Sequence, residues 1–333
     1  MDRPSELDER AEAALRVLRA AERPLLVGHE RPDSDVLGSE AALADGLAML
    51  GALPTIVNPD APARGFEFVE PACGFGFDRG GRLPRHDLVV FLDLNELSRT
   101  GAMAERLAAS TAPKLVVDHH VLPDVAWWDE AIVDVGAAAT GVLVARVLHR
   151  LGVPIEGNVA RGVLVALVGD TGSFRFDNTN EEALSIAAEC ARGGASTSQI
   201  HAAMAQRRDP RFPAALAAHL ARARYLEDGR VAIVDEPRSL GTGGLPGLSD
   251  VVLDVLRSVE EVEIALHVRE LEDGSCKLSA RAKAPADVHD LAIRLGGGGH
   301  VRAAGATVDG PLDAAVARVL DALEASLAAR AAR

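Results

Sequence analysis

An apolar run closes on three ionisable residues in the stretch Lys114-Leu115-Val116-Val117-Asp118-His119-His120. Leu115 to Val117 are predicted to form a strand that is buried on both faces, as strands of a parallel sheet are. Two adjacent histidines point to opposite faces of an extended chain, and burying them with Asp118 is costly unless the three groups have partners. In open α/β sheets, ligands bind at the carboxyl ends of strands. The stretch therefore predicts an α/β fold with a functional site at this strand end.

A second polar cluster follows the predicted strand 25–27 and leads into the predicted helix 36–50. It contains His29, Asp33 and Asp35, with Pro32 forming a turn between them. Asp33 or Ser34 could simply cap the helix, because their side chains accept hydrogen bonds from the first free N–H groups. Capping explains one residue but not the histidine and both aspartates, so the pattern favours ligands.

Two further acids end apolar segments. Asp93 directly follows the predicted strand 88–92, and Asp170 follows the predicted helix 158–168. Asp93 could be a helix cap, but its placement matches that of His29 and His119 at their own strand ends. A buried carboxylate such as Asp170 requires a partner. Arg99 lies close behind Asp93 and is expected near the same pocket.

These residues together form a candidate set of metal ligands: His29, Asp33, Asp35, Asp93, His119 and Asp170. Four carboxylates cannot crowd together without cations, because like charges shift each other's pKa values. An oxygen-rich set with only two imidazoles suits Mn²⁺ or Mg²⁺ better than zinc. Two such ions can clamp a phosphoryl group and lower the pKa of a bridging water.

The carboxy-terminal part contains the run Gly296-Gly297-Gly298-Gly299-His300. Consecutive glycines after a predicted helix can expose backbone N–H groups to an anion, with His300 and Arg281 as charged partners. A flexible linker is the alternative, but the run is embedded in a βα pattern and contains no serine. Near Asp170, Phe174 is predicted either to stack on a base or to lie in the core.

Composition limits the class of protein. The chain has 333 residues, so two domains are expected, and 48% hydrophobic residues can form their cores. A formal charge of -14 argues against a protein that holds long nucleic acid. Three widely spaced cysteines favour reduced thiols in a cytoplasmic protein, and neither a signal peptide nor a membrane-spanning run is recognised. The expected domains are 1–195 and 227–333, joined by a helical linker at 196–226.

The chain resembles the DHH/DHHA1 phosphoesterases, specifically the NrnA-like oligoribonucleases and 3′-phosphoadenosine 5′-phosphate (pAp) phosphatases. The motifs that carry the resemblance are His29-x-x-x-Asp33-x-Asp35, Asp93, Asp118-His119-His120, Asp170-Thr171-Gly172-Ser173-Phe174 and Gly296-Gly297-Gly298-Gly299-His300. They occur in the family's order and cover nearly the whole chain. The resemblance implies a DHH domain with a mainly parallel sheet, a smaller DHHA1 domain, and an active site in the cleft between them.

The resemblance also implies roles for individual residues. Two Mn²⁺ ions, or Mg²⁺, would be held by His29, Asp33 and Asp93 and by Asp35, Asp93, His119 and Asp170, with Asp93 as the bridge. His120 would contact the scissile phosphate and Asp118 would orient the histidines. The substrate-binding side would comprise Gly297, Gly298, Gly299, His300, Arg281, Arg99, Ser173 and Phe174. The segment around Arg281, Leu278-Ser279-Ala280-Arg281-Ala282-Lys283, departs from the family's usual Ser-Leu-Arg-Ser form.

The implied activity is hydrolysis of short oligoribonucleotides, dephosphorylation of pAp, or both. Cyclic-di-AMP or linear dinucleotides are alternative substrates, and a non-catalytic nucleotide-binding regulator is an alternative of a different class. Filled ligand positions argue against the regulator. The expected partners are short RNA or small nucleotides, not long nucleic acid or a membrane, and a homodimer is compatible with the sequence.

Overall fold

The computed structural model describes residues 6–62, 65–240 and 245–331. The chain divides into two compact units, Met1–Arg207 and Arg208–Arg333, each built around a sheet with helices. The predicted α/β fold class is confirmed. Within the described ranges, we find no helix long and apolar enough to cross a membrane.

The first unit is built on a parallel sheet. Its strands, β1 to β6 in chain order, are Pro24–Val27, Thr55–Asn58, Phe75–Phe77, Leu88–Leu92, Lys114–Asp118 and Glu130–Val133. Its helices, α1 to α7, are Glu6–Ala20, Ser34–Met49, Ala104–Ala108, Thr140–Leu151, Gly157–Asp170, Glu181–Arg192 and Thr197–Ala205. The strand order is β3-β2-β1-β4-β5-β6, and every neighbouring pair is parallel. The order reverses between β1 and β4, which is where open α/β sheets bind ligands.

Alternate residues of the central strands enter two different cores. Leu26 and Val90 pack with α1, α2, α4 and α5, whereas Leu25 and Val89 pack on the opposite face with residues of α3. Both faces of the sheet are therefore buried, which explains the nearly continuous apolar runs in β1, β4 and β5. With both faces covered, the carboxyl ends of these strands are where the sheet can present polar side chains.

Helices α2 and α5 approach each other closely at a pair of glycines. A Cβ atom at Gly38 would lie 2.4 Å from the carbonyl oxygen of Gly162, and one at Gly162 would lie 2.6 Å from that of Gly38. No larger side chain fits at either position without moving a helix. The close packing brings Asp35, in the first turn of α2, and Asp170, the last residue of α5, to the same end of the helix pair.

The second unit contains a mixed sheet. Its strands, β7 to β12, are Arg224–Leu226, Val231–Glu236, Ile264–Glu270, Cys276–Ala282, Gly298–His300 and Ala303–Val308. Its helices, α8 to α11, are Phe212–Leu220, Leu248–Arg257, His289–Arg294 and Leu312–Ala331. The strand order is β11-β12-β10-β9-β8-β7, and β8 and β9 are the parallel pair. One face packs on α10 and α11, and the other packs on α8 and α9.

The segment 196–226, for which the sequence predicts a helical linker, is shared between the units. Helix α7 belongs to the first unit and helix α8 to the second. In α8, Phe212 and Ala215 are buried in a core with residues of β8 and α9. This helix is therefore an integral part of the second unit's core.

Candidate metal centre

His29 lies just beyond the end of β1 and is buried. Its Nδ1 is 2.8 Å from the carbonyl oxygen of Glu30. A carbonyl can only accept a hydrogen bond, so Nδ1 carries the proton and Nε2 presents its lone pair when the ring is neutral. That Nε2 lies 3.5 Å from Oδ2 of Asp93 and 3.8 Å from Oδ2 of Asp33. The ring is thus oriented as a ligand between two carboxylates.

Asp33 combines the two roles that the sequence left open. Its Oδ1 caps helix α2 by accepting hydrogen bonds from the N–H groups of Asp35 at 2.9 Å and Val36 at 3.1 Å. Its Oδ2 faces His29 instead. Capping holds the carboxylate in one orientation and so places the second oxygen in the cluster.

Asp35 is fully buried against the amino-terminal end of α4. Its carboxylate accepts hydrogen bonds from the N–H groups of Thr140 at 2.7 Å and Gly141 at 3.0 Å, and from the hydroxyl of Ser39 at 3.1 Å. Burial raises the pKa of Asp35 well above its usual range, and the nearby carboxylates raise it further. A bound cation would offset this penalty.

Asp93 lies at the centre of the cluster, immediately after β4. Its backbone is left-handed, with φ of 59°, a conformation that aspartate and asparagine tolerate better than most residues. Oδ2 lies 3.5 Å from Nε2 of His29, and Oδ1 lies 3.5 Å from Nε2 of His119. The two oxygens of one carboxylate therefore face two different imidazoles.

His119 follows β5 and faces Oδ1 of Asp93, whereas His29 faces Oδ2. Its Nδ1 is 3.1 Å from the carbonyl oxygen of Ala137, so Nε2 again presents the lone pair of a neutral ring. Nε2 lies 3.2 Å from Oδ2 of Asp170 and 3.8 Å from Oδ2 of Asp35. This buried nitrogen has no hydrogen-bond partner among the described residues. A metal ion would satisfy it.

His120 is held by its neighbour Asp118. The Asp118 Oδ1 lies 2.8 Å from Nδ1 of His120 and also accepts a 3.2 Å hydrogen bond from the His120 backbone N–H. Asp118 is fully buried, and Nδ1 of His120 lies 3.6 Å from Oδ1 of Asp93. Asp118 therefore orients the imidazole beside the cluster.

The electrostatics of the cluster favour bound positive charge. Burial lowers the pKa of His29, but hydrogen bonds with Asp33 and Asp93 outweigh it and raise the pKa to about 10. Burial likewise lowers the pKa of His119, but the facing carboxylates of Asp170, Asp35 and Asp93 outweigh it and raise the pKa to about 10. Three groups of ligand atoms lie within 4.8 Å of one another: His29, Asp33 and Asp93; Asp35, His119 and Asp170; and Asp93, His119 and His120. The donor set and its geometry fit divalent metal ions.

The structure places the other predicted residues of the first unit in different surroundings. Arg99 donates from Nη1 to the carbonyl oxygen of Asp93 at 3.3 Å, and its own carbonyl accepts from Glu30 at 2.8 Å, so it links the two loops. Ser173 and Phe174 both have left-handed backbones in the turn after α5. Phe174 packs against the core, whereas the neighbouring Phe176 is 39% exposed.

In the second unit, Arg281 and His300 lie in one row of the sheet. Each is paired in register with Ala303 of β12, Arg281 from β10 and His300 from β11, so their side chains emerge on the same face. Arg281 also forms a 2.9 Å ion pair with Asp250. The glycine run is not a linker, because Gly298 and Gly299 form β11 with His300. As an edge strand, β11 directs alternate backbone groups away from β12.

Two supporting contacts carry no signal in the sequence. Thr140 donates from its hydroxyl to Oδ1 of Asp93 at 3.0 Å, although the residues are 47 positions apart. Behind the His29 loop, buried Asn58 donates to Glu40 at 2.8 Å and accepts from the Gly28 N–H at 2.7 Å. A threonine at a helix start and a glutamate inside a helix are common, so only the fold identifies these residues.

The fold and this cluster define a metal-binding α/β protein whose ligands lie at the carboxyl ends of parallel strands. Family models agree: the N-terminal domain of the DHH family matches residues 24–167, and the DHHA1 domain matches residues 238–329. The chain is 31% identical over 322 residues to the bifunctional oligoribonuclease and PAP phosphatase NrnA of Thermus thermophilus, covering 96% of this chain and 95% of the relative. The chain belongs to the DHH family and is a hydrolase.

Solved structures show the same fold. An exopolyphosphatase-related protein from Bacteroides fragilis superposes with a TM-score of 0.86 at 21% identity, covering 95% of this chain and 96% of that protein. RecJ from Thermus thermophilus, solved with Mn²⁺, superposes with a TM-score of 0.57 at 19% identity, covering 96% of this chain and 55% of RecJ.

Proposed function

We propose that the chain is a phosphoesterase that uses two Mn²⁺ ions to hydrolyse short oligoribonucleotides to mononucleotides and to dephosphorylate pAp. The observation that carries the proposal is the position of Asp93, whose Oδ2 faces His29 and whose Oδ1 faces His119. A relative named as an oligoribonuclease and PAP phosphatase, similar over 96% of this chain, supports the substrate class.

The candidate ligands form two groups, and Asp93 belongs to both. His29, Asp33 and Asp93 would hold one ion, and Asp35, Asp93, His119 and Asp170 would hold the other. A set rich in carboxylates with two imidazoles suits Mn²⁺, and Mg²⁺ is the natural competitor. Ions bound in such a pair polarise the phosphoryl oxygens and lower the pKa of water.

His120 is the residue that we assign to proton transfer. Asp118 accepts at 2.8 Å from Nδ1 of His120, which holds the ring and stabilises it when it carries a second proton. A ring held in this way can protonate the leaving oxygen as the phosphate ester breaks. Asp118 acts through His120 and is a positioning residue.

The substrate-binding side is assigned to both units. Arg281 and His300 emerge from one row of the second sheet, and both can bind a phosphate, with Gly297, Gly298 and Gly299 beside them. In the first unit, Arg99, Ser173 and Phe174 are the assigned contacts, and their backbones lie next to Asp93 or just after Asp170.

A substrate panel tests the proposal. It contains a diribonucleotide, pAp, a twenty-mer RNA and a cyclic dinucleotide, each assayed with Mn²⁺, with Mg²⁺ and with a chelator. We expect turnover of the first two with Mn²⁺, and none with the chelator or in Asp93→Asn. If only the cyclic dinucleotide were hydrolysed, the chain would be a cyclic-dinucleotide phosphodiesterase and the proposed substrates would be wrong. Failure to hydrolyse any of them would reject the activity.

A further inference from the structure

The second unit contains a buried cluster that the proposed reaction does not use. His219 on α8, Glu236 at the end of β8 and His267 in β9 are 0%, 3% and 2% exposed. Oε2 of Glu236 lies 3.1 Å from Nε2 of His219 and 3.2 Å from Nε2 of His267. The three ligand atoms lie within 4.8 Å of one another. Two imidazoles thus converge on one carboxylate oxygen inside a protein core.

The surroundings of His219 determine what its Nε2 presents. Its Nδ1 lies 2.8 Å from the carbonyl oxygen of Ala215, one turn earlier in α8, so Nδ1 carries the proton. In the neutral ring, Nε2 then directs a lone pair at the carboxylate of Glu236. Two electron pairs facing each other at 3.1 Å repel. A cation, either a proton or a metal ion, must lie between them.

The same arrangement occurs at the candidate metal centre of the first unit. His29 and His119 also direct Nδ1 at backbone carbonyl oxygens, at 2.8 and 3.1 Å, and Nε2 at carboxylates. Within the described ranges, the buried histidine nitrogens without a hydrogen-bond partner are Nε2 of His119, His219 and His267. Two of these three atoms therefore lie in the cluster of the second unit.

We propose that His219, Glu236 and His267 bind a divalent transition-metal ion, most suitably Zn²⁺, as a structural site. Two imidazoles and a carboxylate are a set that Zn²⁺ favours. The nitrogen-to-oxygen separations of 3.1 and 3.2 Å are close to the roughly 3.3 Å between two ligands about 2.05 Å from a tetrahedral ion. Glu236 can supply one or both of its oxygens.

A contact behind the ligands supports the site. The hydroxyl of Ser249 lies 2.7 Å from Nδ1 of His267 and fixes the orientation of that ring, as the outer partners of metal-bound histidines do. The ion would join α8, β8 and β9 and, through Ser249, the first turn of α9. Because the ligands are buried within a core of the second unit, we assign the ion a structural role.

Metal analysis of the full-length chain tests the proposal. Wild type, Asp93→Asn and His267→Gln would be loaded with Zn²⁺, washed with a weak chelator and analysed for bound zinc. We expect wild type and Asp93→Asn to retain an ion that His267→Gln lacks. Co²⁺ loaded in place of Zn²⁺ should give a tetrahedral visible absorption spectrum in the first two proteins alone.

A milder variant covers the case in which His267→Gln does not fold. Ser249→Ala removes only the outer contact, and it should weaken Zn²⁺ binding roughly ten- to a hundredfold. Equal zinc retention by wild type and a folded His267→Gln, or unchanged affinity in Ser249→Ala, would overturn the proposal. The cluster would then be a network that shares a proton.

Discussion

Thr140 donates its hydroxyl to Oδ1 of Asp93 at 3.0 Å, and the same residue donates its backbone N–H to Asp35 at 2.7 Å. One residue at the start of α4 therefore holds two carboxylates that we assign to the metal centre. Neither carboxylate can rotate freely while Thr140 is in place. The start of α4 thus positions two proposed metal ligands, although it contributes no ligand itself.

We expect Thr140→Val to weaken Mn²⁺ binding roughly ten- to a hundredfold, because an outer contact of a ligand is lost while the side-chain shape is retained. Thr140→Ser keeps the hydroxyl and serves as the matched control. Titration of each metal-free protein with Mn²⁺, followed calorimetrically, measures the difference. Equal affinity in the valine and serine variants would show that the hydrogen bond to Asp93 does not support the ligand.

Asp93→Asn should abolish turnover and leave the fold intact. Asparagine accepts the left-handed backbone at this position, so the change removes charge without adding backbone strain. The buried sheet supplies most of the stability, so the melting temperature of the chelator-treated variant should stay close to that of chelator-treated wild type. Metal analysis of the active wild-type protein gives the number of ions bound per chain. A single catalytic ion per chain would contradict a bridging role.

His300→Ala should separate binding from chemistry. If His300 binds a phosphate remote from the scissile bond, kcat/KM for pAp should fall roughly ten- to a hundredfold, the loss of one charge-assisted hydrogen bond. Bis-p-nitrophenyl phosphate, which is too small to use that contact, should be nearly unaffected. His120→Ala should depress both substrates. Equal losses on both substrates for His300→Ala would place His300 among the catalytic residues.

Activity should depend on substrate length. The formal charge of -14 repels long polyanions, and a longer chain adds repulsion without adding contacts at the site. The rate per RNA end should therefore fall from dinucleotide to twenty-mer at physiological salt. Rates that do not vary over this range would show that long RNA is accommodated.

Glu40 should make stability depend on pH. Burial raises its pKa from 4.5 to about 8. Between these values the folded chain keeps a proton that the unfolded chain releases, so stability falls as pH rises and levels off above about 8. Glu40→Gln should flatten this part of the profile, as measured by urea unfolding at a series of pH values. Parallel profiles for both proteins would contradict the raised pKa.

The central strands could be predicted from the sequence because burial on both faces demands continuous apolar runs. Strands β1, β4 and β5 lie within one residue of their predicted bounds. Sequence reasoning missed β12, which is made largely of small residues, and the three-residue edge strands β3, β7 and β11. An edge strand of this length buries too little to impose an apolar pattern.

The residues of the candidate site also fall into those that the sequence could predict and those that it could not. Its charged residues were predictable because they stand at the ends of apolar runs, where idle charge is costly. Thr140 and the cluster of His219, Glu236 and His267 were not, because a threonine at a helix start and histidines within a helix and a strand are common, and only the fold identifies their partners. Phe174 shows the same limit, since composition could not reveal that it packs on the core while Phe176 is exposed.

The left-handed backbone at Asp93 limits how this position can change during evolution. Glycine and asparagine are the replacements that suit the backbone, yet neither provides a carboxylate. Glutamate provides the carboxylate but gains no local backbone support for this conformation. In a mutational scan selected for folding alone, glycine and asparagine should therefore be enriched at position 93. A scan selected for activity should return only aspartate at this position. No single substitution there would then retain both the fold and the activity.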